Sequence, residues 1–70
     1  MNRRIKFLGA GNMARAMISG LLTRGFPPQR LSAVDPSQDA LNLLSGMGLN
    51  QLSTQVNKSM DTADLVVIAV

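Results

Sequence analysis

The 70-residue sequence contains no cysteine and no histidine. Without cysteine it can form no disulfide, and nothing in it requires an oxidising compartment. The absence of both residue types excludes the usual zinc sites and the common catalytic dyads from this segment, so we predict no metal site and no catalytic residue in it. Asp61 and Asp64 are three residues apart but have no histidine beside them. We interpret them as turn or capping groups and not as an acid–base pair.

Aromatic residues are also scarce, because the sequence has two phenylalanines and neither tryptophan nor tyrosine. Seven Lys and Arg residues against four Asp give a net charge of +3. Arg3, Arg4 and Lys6 cluster near the start, and the other basic residues are scattered. A mild positive charge with few rings to stack on bases argues against nucleic-acid binding.

Long apolar runs are missing as well. Lys6 interrupts the apolar run that follows the basic start, and Gly9 ends it, so we predict no signal peptide. The last apolar run, residues 65–70, is far shorter than the roughly 20 residues that cross a bilayer. We therefore expect a cytoplasmic protein that makes no membrane contact.

Short apolar runs alternate with amphipathic segments along the whole chain. The pattern predicts strands over 5–8, 31–34, 49–52 and 65–70, and helices over 12–24, 37–45 and, capped by Ser53 or Thr54, about 53–63. Right-handed crossovers would place the strands in the order 3-2-1-4. The sequence therefore predicts an α/β fold, the N-terminal half of a Rossmann-type, doubly wound parallel sheet.

The sequence also gives specific predictions for several residues of the first strand and the first helix. Lys6 does not fit the pattern of a central strand. A strand that is covered on both faces has little room for a charge unless the aliphatic part of the side chain extends to an edge of the sheet. Met13 and Met17 lie on the apolar face of the first helix, and we interpret them as core residues. Gly25 should provide the left-handed residue that ends this helix, before Pro27 and Pro28 prevent its continuation.

A G-x-G-x-x-A motif occupies residues 9–14, between the first strand and the first helix. Gly9 allows a sharp turn, Gly11 leaves room for a pyrophosphate to approach the backbone, and Ala14 lets helix and strand pack closely. A strand before the motif and an amphipathic helix after it are the context that such a turn needs. The motif therefore predicts dinucleotide binding.

The helix that follows the motif should direct its positive end toward the negatively charged ligand. The amides of Gly11, Asn12 and Met13 are expected to face an anion from the positive end of the helix. Asn12 is most simply the N-cap residue.

The 70 residues suffice for such a binding unit, but not for a second domain that would hold a substrate. We expect an N-terminal part of a longer chain, truncated at the end of a strand.

Asp35 follows the second strand, 21 residues after Ala14. An acidic residue at this position can reach the adenosine ribose of a dinucleotide, but an Asp before Pro36 and Ser37 is also a good turn residue without a ligand. The carboxylate favours the unphosphorylated ribose of NAD, whereas the Ser37 hydroxyl and a helix N-terminus suit the 2′-phosphate of NADP. Both roles of Asp35 and both cofactors stay open.

Residues 7–14, F-L-G-A-G-N-M-A, continued by A-M-I-S-G-L-L at 16–22 and by Gly25, resemble the N-terminus of pyrroline-5-carboxylate reductases. The closing A-D-L-V-V-I-A-V at 63–70 resembles the same family. The letters G-N-M after the first glycine are much more specific than the general motif. The likeness covers nearly all of this chain, but only about the first quarter of a family member.

The resemblance implies reduction of the cyclic imine 1-pyrroline-5-carboxylate to proline, with hydride from NADP(H) or possibly from NAD(H). Its small-molecule substrate and its homo-oligomer contacts would involve a C-terminal helical domain outside residues 1–70. The turn would hold the pyrophosphate, residues 35–37 would flank the ribose, and the end of the last strand would approach the nicotinamide half. The cofactor-binding residues that it implies are Gly9, Ala10, Gly11, Asn12, Met13, Asp35, Pro36, Ser37, Asn57, Ala69 and Val70.

Two other functions fit the same residues. One is another NAD(P)-dependent dehydrogenase, of the β-hydroxyacid or prephenate type. The other is a non-catalytic domain that senses a nucleotide and regulates a partner, as in ion-channel regulatory domains, because a fold does not by itself determine a function.

Overall fold

The computed structural model describes residues 3–55 and 63–69 of the chain. Four strands form one parallel sheet in the order 3-2-1-4, as predicted. The elements are β1 (Ile5–Leu8), α1 (Asn12–Thr23), a 3₁₀ helix (Pro28–Arg30), β2 (Leu31–Val34), α2 (Gln38–Ser45), β3 (Gln51–Ser53) and β4 (Leu65–Ile68). The predicted fold class and the predicted sheet order are confirmed.

The register of the sheet brings the carboxyl ends of three strands to one edge. Leu8, the last residue of β1, lies level with Val34 of β2 and Ile68 of β4. In an open parallel sheet, ligands bind beyond this edge where the strand order reverses. Here the order reverses at β1, because the chain steps first to β2 and later back to β4.

The core lies on the sheet face that α1 and α2 cover. Both crossovers step in the same direction, so right-handed connections place both helices on one face. Small and branched residues fill the space between helices and strands, and Ala14 is fully buried there, as the close helix–strand contact requires. The fully buried residues of this core include Phe7, Ala14, Ile18, Leu31, Ala33 and Leu44.

The ends of the two helices follow from local sequence. Beyond α1, Gly25 has a φ of 89°, and the N–H of Phe26 donates to the carbonyl of Leu21 at 3.0 Å. This is the hydrogen-bonded helix ending that favours glycine, so the predicted role of Gly25 is confirmed. At the start of α2, the Ser37 hydroxyl accepts from the N–H of Ala40 at 3.2 Å and caps the helix.

The third strand differs from the prediction. It was predicted over 49–52 but is formed by Gln51–Ser53. Leu49 instead belongs to the turn that ends α2, because its N–H donates to the carbonyl of Leu44 and its side chain is buried in the core. Most of the predicted third helix lies in 56–62, outside the described residues, and Ser53 is the last residue of β3.

Lys6 is buried in the central strand with 3% of its surface exposed. It lies on the face opposite to Phe7, since neighbouring residues of a strand alternate in direction. With so little of its surface exposed, the Lys6 side chain does not carry its ammonium group into solvent. Separately, no helix in the part of the chain that the structure describes is long and apolar enough to cross a membrane.

Candidate cofactor site

The motif of residues 9–14 forms the turn that leaves the carboxyl end of β1. Gly9 has a φ of 113°, a conformation that glycine adopts readily and that the predicted sharp turn requires. Its N–H donates to the carbonyl of Val34 at 2.8 Å, and the N–H of Ala10 donates to Oδ2 of Asp35, also at 2.8 Å. Both amides are thus bound by the end of β2 and are directed into the protein.

The next three residues begin α1. Gly11 is the N-cap residue, and its carbonyl accepts from the N–H of Arg15 at 3.0 Å. Asn12 is therefore the first helical residue and not the predicted N-cap; its side-chain oxygen accepts from the guanidinium of Arg15. The first amides of a helix have no partner within the helix, so those of Asn12 and Met13 remain for an outside acceptor.

Gly11 is the most informative residue of the turn. Its φ of −78° and ψ of −162° are open to any amino acid. A Cβ built on it would meet no atom of the described residues within 4 Å. Neither the backbone nor the packing of these residues therefore needs glycine, and the bare backbone leaves an open face where the helix begins. A dinucleotide pyrophosphate fits this face, because it binds backbone amides at close range.

Asp35 joins the turn to the start of α2. Its Oδ2 accepts from Ala10, and its Oδ1 accepts from the N–H of Ser37 at 2.8 Å. Its own N–H donates to the carbonyl of Ser53 at 3.1 Å, which fixes its backbone against β3. The bond to Ala10 could not be found from sequence, where the only signal was an acidic residue at the end of the strand beside β1.

The ionisable residues in the sequence around Asp35 are acidic. Asp39 lies in the first turn of α2, and residues 31–57 contain neither Lys nor Arg. A carboxylate here favours a ribose hydroxyl, whereas the capping Ser37 and the start of α2 offer hydrogen-bond donors to a phosphate. The described residues thus fit an adenosine ribose in either form.

The remaining predicted site residues fall in three places. Ala69 is buried just after β4, and its N–H donates to the carbonyl of Leu8 at 2.9 Å, so it lies at the same sheet edge as the turn. Pro36 is exposed in the loop between Asp35 and α2. Asn57 and Val70 lie outside the described residues. Asp61 does as well.

Asp64 has a structural partner. Its Oδ2 accepts from the N–H of Arg4 at 2.8 Å, and its own N–H donates to the carbonyl of Arg4. These two bonds join the start of β4 to the start of β1. The prediction that Asp64 is a turn or capping group agrees with this geometry. Within 3–55 and 63–69, no three acidic, Cys or His residues cluster as a metal site.

Met13 and Met17 are not core residues, contrary to the prediction. Their exposed fractions are 64% and 41%. The buried stripe of α1 runs through Ala14 and Ile18, and each methionine precedes one of them by one residue, which turns it about 100° around the helix. The amphipathic pattern identified a broad apolar face, but the described sheet covers only part of it.

An apolar groove lies beside this uncovered part of α1. It has a volume of about 380 Å³ and lies between the C-terminal half of α1 and the strands β1 and β4. None of the predicted cofactor residues lines it. Its lining residues are Ile5, Phe7, Met17, Gly20, Leu21, Arg24, Leu65 and Val67.

The sheet order, the glycine turn and the exposed helix start together define a Rossmann-type dinucleotide-binding protein. A family model described as NADP oxidoreductase, coenzyme F420-dependent, matches residues 4–70. The chain belongs to this family.

Comparisons with individual proteins show a more specific similarity than the family model does. The chain is 39% identical over 70 residues to a pyrroline-5-carboxylate reductase of Vibrio alginolyticus, covering 99% of this chain and 25% of the relative. It is 33% identical over 69 residues to that of Pasteurella multocida, covering 94% and 25%. A solved pyrroline-5-carboxylate reductase from Coxiella burnetii matches with a TM-score of 0.85 and 36% identity, over 100% of this chain and 26% of that one.

These comparisons confirm the resemblance that residues 7–14 and 63–70 indicated. The chain spans about a quarter of the length of the relatives that it matches.

Proposed function

We propose that residues 1–70 form the cofactor-binding part of a pyrroline-5-carboxylate reductase, which reduces 1-pyrroline-5-carboxylate to proline with NADP(H) and also with NAD(H). The observation that carries the proposal is Gly11, a glycine that the described residues do not need and that opens the start of α1 to a ligand. The relatives that bear this name, at 32% to 39% identity, support the choice of substrate.

The residues of this part bind and orient the dinucleotide. Gly11, Asn12 and Met13 offer backbone amides to the pyrophosphate, while Gly9 and Ala10 shape the turn through their bonds to β2. Asp35, Pro36 and Ser37 flank the adenosine ribose. Ala69 and Val70 approach the nicotinamide half, which supplies the hydride when the cofactor is bound, and Asn57 is a further cofactor contact that the family resemblance implies.

The other requirements of the reaction lie outside residues 1–70. The sequence has no His or Cys to donate a proton, and the described residues form no second wall around a substrate. We infer that a C-terminal helical domain holds the small-molecule substrate and forms the homo-oligomer, in a cytoplasmic enzyme that binds neither nucleic acid nor membrane.

Titration of NADPH and NADH, followed by NMR, tests the proposed site directly. Gly11→Val should weaken the binding of both cofactors by about 100-fold, because two charge-assisted amide bonds at about 1.5 kcal/mol each are lost. Gly11→Ala should give a smaller loss of the same sign. The fold should survive Gly11→Ala, since a Cβ at residue 11 meets no described atom. It should also survive Gly11→Val, since residue 11 is exposed and has an extended backbone.

Gly20→Ala is the matched control. Gly20 also lies in α1, and a Cβ on it would likewise meet no atom of the described residues. It is nine residues further along, about 13 Å from Gly11 at 1.5 Å per residue. It should therefore leave both affinities unchanged. Equal affinity in the wild type and in Gly11→Val would contradict the proposed site.

A further inference from the structure

The turn at residues 9–14 is attached to the rest of the fold by two successive residues of one segment. The carbonyl of Val34 accepts from Gly9, and the carboxylate of Asp35 accepts from Ala10. The first bond continues the hydrogen bonding between β1 and β2. The second lies beyond the strands, where only a side chain supplies the acceptor.

The amide of Ala10 depends on this acceptor. Ala10 is fully buried, and a buried N–H without a partner costs the free energy of its desolvation. A bond to an ionised carboxylate is roughly twice as strong as one between neutral groups. Asp35 thus fixes the orientation of the peptide group between Gly9 and Ala10, one residue before Gly11.

The same carboxylate also fixes the start of α2. Oδ1 accepts from Ser37, whose hydroxyl in turn caps α2 through Ala40. With one backbone N–H on each oxygen, the carboxylate cannot rotate without breaking at least one bond. The orientation of the turn and that of α2 are therefore coupled through one side chain.

We propose that Asp35 is a positioning residue, which holds the phosphate-binding turn in its binding geometry through the amide of Ala10. This role rests on the proposed function and differs from recognition of the ribose hydroxyls. It acts on the pyrophosphate, which NAD(H) and NADP(H) share, so it should affect the affinity of both cofactors in the same direction.

The experiment compares Asp35→Ala and Asp35→Asn with the wild-type chain by amide hydrogen exchange and by cofactor titration. Without cofactor, Asp35→Ala should speed exchange at Ala10 by about tenfold or more, while Gly9, which is bonded to Val34, changes much less. Asn offers one acceptor oxygen in place of two, so in Asp35→Asn the exchange of Ala10 or of Ser37 should accelerate. Asp35→Ala should bind NADH and NADPH about tenfold more weakly, and Asp35→Asn should lose affinity for both only if its exchange at Ala10 is faster.

Asp64→Asn is the matched control. It removes a carboxylate that also accepts from a backbone N–H at 2.8 Å, but at the start of β4. It should change neither the exchange of Ala10 nor either affinity. Asp39→Asn, which alters only charge near α2, should also leave Ala10 unchanged.

Two results would overturn the positioning role. One is unchanged exchange at both Ala10 and Ser37, or a loss of affinity no greater than that of Asp64→Asn. The other is weaker binding of NADH together with tighter binding of NADPH, which would assign Asp35 to the ribose. A wild-type chain that binds neither cofactor would instead contradict the proposed function, and the exchange data would still test the bond to Ala10.

Discussion

At the scale of single residues, Asp35 and Ser37 show how loop side chains stabilise the fold beside the proposed cofactor site. Asp35 was predicted either to face a ribose or to stabilise a turn. The bonds to Ala10 and Ser37 show that it stabilises the backbone. Its location beside the proposed pyrophosphate site comes from the parallel pairing of β1 and β2, which no local sequence pattern records.

Ser37→Ala should destabilise the protein by about 1 kcal/mol, because the hydroxyl that caps α2 is lost. The free energy of unfolding from urea denaturation measures this change. Ser45→Ala is the control, since Ser45 is exposed in the last turn of the same helix. A Ser37→Ala variant as stable as the control would show that the bond to Ala40 contributes nothing.

At the scale of elements, the two glycines of the α1 region should respond to alanine with opposite signs. Gly20 lies within the helix, where glycine is about 1 kcal/mol less favourable than alanine, and a Cβ there meets nothing among the described residues. Gly20→Ala should therefore raise the free energy of unfolding by about 0.5 to 1 kcal/mol.

Gly25→Ala should lower the free energy of unfolding by about 1 kcal/mol, because alanine is strained at a φ of 89°. Thermal unfolding of both variants, with the wild type beside them, provides the measurement. A Gly25→Ala variant as stable as the wild type or more stable would contradict the described helix ending, and a destabilised Gly20→Ala variant would contradict the open space at Gly20.

The elements themselves could be predicted because their patterns are local. β1, β2, α1 and α2 follow directly from apolar runs, helix periodicity and the turn residues between them. β3 was misplaced because Leu49 looked like a strand residue, although it packs in the turn after α2. Met13 and Met17 were misassigned because periodicity shows which residues share a helix face, but not how wide a surface covers that face.

At the scale of the whole molecule, one side of the fold is apolar and open. Along β4, Ile68 is 71% exposed and Val66 is exposed on the sheet face opposite to Phe7, while Leu65 is exposed on the other face, where it lines the groove beside α1. Among the described strands, β4 pairs with β1 alone. The relatives that this chain matches are about four times as long as the chain itself.

The turn at residues 9–14 could be predicted from sequence because its geometry depends on one short stretch of backbone. The substrate could be proposed only through family resemblance, since the sequence has no His or Cys to donate a proton and the described residues offer no evident anchor for a substrate carboxylate. We therefore expect the 70-residue chain alone to bind NADPH weakly and to show no detectable reduction of 1-pyrroline-5-carboxylate. Measurable turnover by this chain would contradict our division between cofactor binding and substrate binding.

The central claim is tested most directly by a chimera in which residues 1–70 replace the matching quarter of the Vibrio alginolyticus reductase. The measurement is the oxidation of NADPH that depends on added 1-pyrroline-5-carboxylate. We predict that the chimera turns over and that the same chimera with Gly11→Val loses about 100-fold or more in kcat/KM, while Gly20→Ala retains its activity. A folded chimera that binds NADPH but does not oxidise it with this substrate, or a Gly11→Val chimera with full activity, would contradict the account.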